Sequence, residues 1–304
     1  MDRSLEMAAF VAVVDAGSFV GAADIMRVSK AAVSRYVDSL EQRIGVRLLQ
    51  RTTRRLSLTE EGRLFYQRAR DILGAIDDAE AEASSRTHTP SGLIRVNVPV
   101  SFGILHLASL WGDFMATYPQ IDLDVTLNDR AVDLVDEGYD LAVRISSLPD
   151  SSMISRKLTH TDMLVCASPD YLARHGAPSH PRELGGHPVL AYTNLAGRDE
   201  WRFVGPDGET TVKTRVRVHS NNGDTCRAIA LRGGGIILQP SFMIDQDVKE
   251  GRLVRLLPEY RSVQLGIYAV YPSRKQLPLK VRCLIEFLSD ALRVPPWQTT
   301  CASL

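Results

Sequence analysis

The sequence predicts an α/β protein with an all-α-rich N-terminal part: a winged helix-turn-helix, one long helix, then two α/β lobes. Three observations predict it. Helical periodicity punctuated by serine caps and closing glycines fills the first stretch up to Ile44. A narrow heptad-like apolar repeat runs from Phe65 to Ala83. Beyond Gly92 the pattern changes to strands alternating with helices.

In the first part, Leu5, Ala9, Phe10, Val13 and Val14 give residues 4–16 one apolar face. Gly17 suits the left-handed position that closes a helix. Ser18 can cap a second helix, Phe19 to about Met26, and Ser29 a third, Lys30 to about Ile44. In that third helix Val33, Val37, Leu40 and Ile44 form a core stripe, while Lys30, Ala31, Ser34, Arg35 and Asp38 lie off it. A helix entering the major groove needs small residues for close approach and donors for bases and phosphates. Ser29, Lys30, Ala31, Ser34 and Arg35 supply that mixture at the helix start. After Gly45, the segment Arg51-Thr52-Thr53-Arg54-Arg55-Leu56-Ser57-Leu58 reads as a β-wing. Arg51, Thr52, Arg54 and Arg55 are its candidate DNA contacts, with Arg54 and Arg55 at the tip.

Charge distribution supports this reading. The chain of 304 residues has a net charge of zero, yet residues 27–55 carry eight basic side chains against the acids Asp38 and Glu41. One module is built to meet phosphate and another is not.

The long helix starts after Thr59. Phe65, Ala69, Ile72, Ile76, Ala79 and Ala83 form a narrow seam that a second copy, or this chain's own C-terminal part, could bury. Residues 84–92, with Pro90, read as a polar hinge. The expected domains are therefore 1–59 for the winged helix-turn-helix, 60–89 for linker helix and hinge, and 90–304 for the lobes. Lobe I takes 90–162 and 267–304, and lobe II takes 163–266.

In lobe I the expected elements are strands at Ile94–Val98, Leu123–Leu127 and Asp140–Ile145, a helix from Phe102 to about Tyr118, and a short helix over 131–137 ended by Gly138. Lobe II is expected to hold a strand at Met163–Ala167, a helix near Cys226–Arg232 and a strand at Ile236–Leu238. The strand Leu265–Tyr271 and the helix Leu277–Leu292 are expected to return to lobe I. In open α/β sheets, ligands sit at the carboxyl ends of strands. That rule selects Ser101 and Phe102, Asn128 and Asp129, and Arg144 and Ser146, with His219 and Asn221 facing them from lobe II. Arg144 could clamp a carboxylate through two parallel hydrogen bonds. A small aromatic or aliphatic carboxylate is the expected ligand.

Other chemistries find little support. The chain has no GxSxG elbow, no HExxH and no P-loop, so an enzyme is not expected. Arg232-Gly233-Gly234-Gly235 lacks the phosphate-loop lysine. Cys166, Cys226, Cys283 and Cys301 are scattered without metal-ligand spacing, and His175, His180 and His187 sit in a Pro- and Gly-rich loop. Neither a metal nor another cofactor is expected. An exported solute-binding protein would leave residues 1–90 unexplained. No apolar run approaches the roughly 18 residues of a membrane helix. Met1-Asp2-Arg3-Ser4 also lacks the features of a secretory signal, so a cytoplasmic, membrane-free location is expected.

The ordered run Phe10, Ala16-Gly17-Ser18-Phe19, Ala22-Ala23, Val28-Ser29, Ala32-Val33-Ser34, Leu40-Glu41, Gly45-Val46, Leu48-Leu49, Arg51-Thr52-Thr53-Arg54, Leu58-Thr59 and Glu61-Gly62 resembles the LysR-type transcriptional regulators. The likeness continues through Ser101-Phe102-Gly103, Asp129 to Val135, Glu137 to Ile145, Cys166-Ala167-Ser168-Pro169 and Gly235-Ile236. Lys30, Ala31 and Arg27 depart from the residues usual there, which leaves the base sequence read by this chain open. The resemblance implies lobes of the type 2 periplasmic-binding-protein fold that bind a small effector. It also implies homodimers paired through the linker helix, homotetramers as dimers of dimers, and double-stranded DNA with an interrupted palindrome as partner. RNA polymerase stays open as a further partner, and so does the choice between activation and repression.

Overall fold

The computed structural model describes residues 2–51, 56–83, 89–130, 132–147, 153–195, 197, 199–272 and 277–298. They form two compact units, Met1–His88 and Thr89–Leu304.

The first unit begins with α1 (Arg3–Asp15), α2 (Phe19–Met26) and α3 (Lys30–Ile44). Each start has the side-chain cap its sequence offers. Asp2 accepts from the Ser4 amide at 2.9 Å, Ser18 from Gly21 at 3.0 Å and Ser29 from Ala32 at 3.2 Å. Gly17 and Gly45 adopt positive φ at the helix ends. Phe10, Val13, Ala22, Val33, Val37 and Leu40 close the core between the helices. Two buried carboxylates lock it. Glu6 on α1 accepts from Ser39 Oγ at 2.6 Å and Arg43 Nε at 2.9 Å on α3. Burial pushes the Glu6 carboxyl up, but those hydrogen bonds and the Arg43 charge hold it below the ordinary glutamate range. Glu41 accepts the amides of Leu48 and Leu49 at 2.8 and 3.0 Å, tying the end of α3 to the next strand.

That strand, β1 (Leu49–Arg51), pairs antiparallel with β2 (Leu56–Leu58) as the wing. Thr59 accepts the Gly62 amide at 2.9 Å and so opens α4 (Glu60–Ala83). Gly62 has no substitute here, because a Cβ would lie 2.0 Å from the Leu48 carbonyl oxygen. The apolar seam of α4 divides along its length. Phe65 packs on Phe10 within the unit, with ring centroids 5.8 Å apart, and Ala69 is buried. Ile72 and Ile76 remain 47% and 37% exposed.

The second unit runs β3 (Gly92–Val98), α5 (Val100–Phe102), a π-helical turn (Gly103–Leu107), α6 (Ala108–Thr117), β4 (Ile121–Leu127), β5 (Leu141–Ser146) and β6 (Ile154–Ala167). It continues with α7 (Pro169–His175), β7 (Pro188–Tyr192), the hairpin β8 (Glu200–Gly205) and β9 (Gly208–Lys213), β10 (Arg215–Ser220), α8 (Gly223–Leu231) and β11 (Ile236–Pro240). Last come α9 (Ser241–Lys249), β12 (Val254–Leu256), β13 (Gln264–Tyr271) and α10 (Leu279–Ala291).

The main sheet has the order β10-β7-β11-β6-β13-β5-β3-β4, with β12 also on β6. β6 crosses between the lobes. Its Ile154–Asp162 half pairs antiparallel with β13, and its Met163–Ala167 half pairs with β11 and β12. In that second half, Leu164 and Cys166 enter one apolar cluster while Met163, Val165 and Ala167 enter another. β3, β4 and β5 run parallel, which puts their carboxyl ends along one edge. β7, β10 and β11 do the same in lobe II.

The short helix expected over 131–137 is not there. Ala131 lies outside the described residues, 132–133 are irregular and 134–138 are turns. Asp133 Oδ1 accepts the amides of Val135 and Asp136 at 2.9 and 3.1 Å, so a side chain takes the role a helical carbonyl would have. The helix expected from Phe102 contains the π-helical turn, and the last helix starts at Leu279, behind Pro278. The expected strand Met163–Ala167 is the end of a 14-residue strand.

Candidate nucleic-acid interface and ligand cleft

The start of α3 presents the predicted face. Ser29, Lys30, Ala31 and Arg35 are exposed and Ser34 half-buried, while Val33, Val37 and Leu40 are fully buried behind them. Ser34 Oγ donates to Asp38 at 3.3 Å. Among the described residues no ion pair ties Lys30 or Arg35 to a carboxylate, so both charges are available to phosphate. Arg51 ends β1, and Thr52, Arg54 and Arg55 lie outside the described residues.

The turn between α2 and α3 carries strain. Arg27 sits in the left-handed region at φ 55°, ψ 42°, where a Cβ is crowded by the following carbonyl. Arg27→Gly is expected to stabilise this unit by about 1 kcal/mol. The measurement is the urea midpoint of the corresponding unfolding transition in the full chain. An unchanged or lower midpoint would show that the arginine side chain offsets its own strain.

In the second unit a cavity of about 430 Å³ opens between the lobes, at the carboxyl ends of β3, β4 and β5. Ser101, Phe102, Asn128, Asp129, Arg144 and Ser146 all line it. Ser101 Oγ donates across the cleft to Asp224 at 2.5 Å. Asp129 accepts the Val100 amide at 2.9 Å, and its own carbonyl accepts from Asn194 of lobe II at 3.2 Å. Burial pushes the Asp129 carboxyl up; the Asp224 charge adds to this and the Val100 amide opposes it. Phe102 stacks edge-on against Phe242 at 5.1 Å, and Trp297 packs behind both.

Arg144 is the notable group. Nη1 donates to Asn97 Oδ1 at 2.7 Å and to the Val143 carbonyl at 3.1 Å, whereas Nη2 is buried with no acceptor among the described residues. No carboxylate among the described residues forms an ion pair with it. Burial lowers its pKa, with Glu137 and then Tyr139 opposing, yet a guanidinium stays charged near neutrality. A half-buried cation with a spare donor, on a mostly apolar wall, suits an anion.

His219 and Asn221 do not line the cavity; both are exposed. The reason is sheet order. They end β10, the outermost strand, so β7 and β11 stand between them and the cleft. Lobe II contributes instead Tyr192 at the end of β7, Asn194 just beyond it, Gly223 at the start of α8, and Gln239 near the end of β11. The strand-end rule that selected His219 would have found Gln239 as well.

A capped helix-turn-helix with a wing, joined in one chain to a two-lobed α/β domain around a ligand-sized cleft, defines a transcription regulator with a small-molecule-binding domain. The family comparison agrees. Residues 5–63 match the model "Bacterial regulatory helix-turn-helix protein, lysR family" and residues 87–293 match "LysR substrate binding domain". The chain belongs to the LysR-type transcriptional regulators. It is 36% identical over 290 residues to the transcriptional regulator PtxR of Pseudomonas aeruginosa, covering 95% of this chain and 93% of that one. It is 37% identical over 291 residues to the regulator CrgA of Neisseria meningitidis, covering 95% and 97%. The solved structure of CrgA superposes with a TM-score of 0.61 at 34% identity, covering 96% of this chain and 99% of that one. These relatives are DNA-binding regulators, not enzymes. No helix among the described residues is long and apolar enough to cross a membrane.

Proposed function

We propose that this regulator binds a small carboxylate between its lobes and that the occupied cleft changes how the DNA-binding units engage an interrupted palindrome. The observation that carries the ligand class is Arg144, which lines a cavity of about 430 Å³ and whose buried Nη2 lacks an acceptor among the described residues. Such a donor gains a charge-assisted hydrogen bond when an acceptor arrives, and gains most when that acceptor is an anion that can also pair with the charge. Exposed Ile72 and Ile76 on α4 support pairing of linker helices between two copies, with tetramers formed from two such dimers. We place the protein in the cytoplasm with promoter DNA, and RNA polymerase as the partner through which output changes. Coupling requires that the ligand bind one arrangement of the lobes better than another.

The test uses DNA flanking the protein's own gene and a panel of small aromatic and aliphatic carboxylates. Gel retardation should weaken with salt, as counterion release demands. A carboxylate that binds by calorimetry should change the footprint and should lose at least about tenfold in affinity in Arg144→Ala. Equal affinity of wild type and variant would remove Arg144 from the site. Equal footprints with and without a bound carboxylate would remove the coupling.

A further inference from the structure

Among the described residues, Gln239 is the other cleft-lining residue whose side chain buries a donor without an acceptor. Its side chain is 1% exposed, it lines the cavity, and its Nε2 has no partner among the described residues. It is the penultimate residue of β11, paired with Leu164 of the crossing strand, so its backbone is held by the sheet. The carboxamide has its room because Gly223 lacks a side chain: a Cβ there would lie 3.1 Å from Gln239 Oε1 and 2.7 Å from Met243 Cε. A buried amide hydrogen without a partner is a standing penalty, relieved when something accepts from it.

We infer that the effector carries, besides the carboxylate that meets Arg144 of lobe I, a second and neutral hydrogen-bond acceptor that meets Gln239 of lobe II. The inference rests on the carboxylate reading of the cleft given above and narrows it. The second acceptor is neutral because lobe II offers it an amide, not a cation. Asp224, next in the chain to Gly223, already brings a carboxylate to that side and would repel another. The ligand class is thus a keto, acyl or acylamino acid of largely apolar body, not a plain hydrocarbon acid. Gln239 is the residue that distinguishes the two. Because the two donors belong to opposite lobes, only a ligand with both acceptors is gripped by both, which ties recognition to closure.

The experiment uses the full chain and matched probes that differ in one atom's chemistry. They are 3- and 4-acetylbenzoate with 3- and 4-isopropylbenzoate, and the corresponding phenylacetates. In at least one pair, wild type is expected to bind the acetyl member at least about tenfold more tightly. Gln239→Leu should close that gap to within about twofold by weakening the acetyl member, and Arg144→Ala should weaken both members alike. The ligand-free protein supplies a second readout. Gln239→Leu should melt no lower than wild type, since no hydrogen bond is lost. A fall of more than about 3 °C would show a structural partner and overturn the inference. So would a preference for isopropyl probes, an acetyl preference that survives Gln239→Leu, or failure of every pair to bind. If binding and the acetyl preference hold but Arg144→Ala has no effect, the carboxylate reading fails and the Gln239 assignment does not.

Discussion

Arg35→Ala is expected to weaken binding to DNA flanking the protein's own gene by about 5- to 150-fold, the roughly 1–3 kcal/mol that one good base contact supplies. Ala31→Glu should be more severe, because it adds bulk and negative charge where α3 must approach the groove. Both residues are exposed, and Val33, Val37 and Leu40 hold the helix from its other side, so neither change should disturb folding. Anisotropy titrations at several salt concentrations separate the possible roles of Arg35. A phosphate contact lowers the salt slope by about one and weakens all sequences alike. A base contact leaves the slope nearly unchanged and reduces discrimination against mismatched sites. Wild-type affinity in both variants would remove this face of α3 from the interface.

Asp247→Ala lowers the stability of the two-lobed unit by about 3 kcal/mol. The Asp247 side chain on α9 is 0% exposed and accepts from Arg227 Nη2 at 2.9 Å and Arg252 Nε at 2.8 Å. Breaking a buried ion pair typically costs about 3–5 kcal/mol. The lower figure applies because Arg227 and Arg252 are 29% and 47% exposed and can recover water. Arg227 belongs to α8, whose first residue Gly223 lines the cleft, so the same change should loosen ligand binding. Thermal unfolding should shift down by about 6–12 °C for a unit of this size. Asp247→Asn, which retains an acceptor without the charge, should fall between. A shift below about 2 °C for the alanine variant would show that this pair adds little.

Much of the DNA-binding unit was legible because local and tertiary signals agree there. Ser18 and Ser29 are caps in the sequence and in the structure, and Val33, Val37 and Leu40 repeat at the period of the helix they bury. β3 and β13 were legible for the same reason, being apolar runs between polar turns. The first half of β6 was not. Ile154-Ser155-Arg156-Lys157-Leu158-Thr159-His160-Thr161-Asp162 has weak apolar alternation and is a strand because β13 pairs with it along its length. The helix expected over 131–137 gives way to turns at 134–138, where the Asp133 side chain accepts the amides of Val135 and Asp136. On the cleft, the lobe I residues named from their strand ends line the cavity. The lobe II wall was misplaced onto His219 and Asn221 because lateral strand order is a tertiary property, absent from any local pattern.

The crossing strand β6 also constrains how chains of this kind can change. Successive residues of a strand point to opposite sides, and Met163–Ala167 feeds two apolar clusters at alternate positions, one that runs through both lobes and one within lobe II. Deleting or inserting a residue near Asp162, between the register shift at Leu158 and the pairing with β11, would trade Leu164 and Cys166 for Met163 and Val165. Loops elsewhere can lengthen freely and side chains here can be swapped for others of like size, but the spacing across this stretch must stay constant. In a lineage that diversifies by altering what its cleft admits, this segment is the fixed ruler against which both halves are measured.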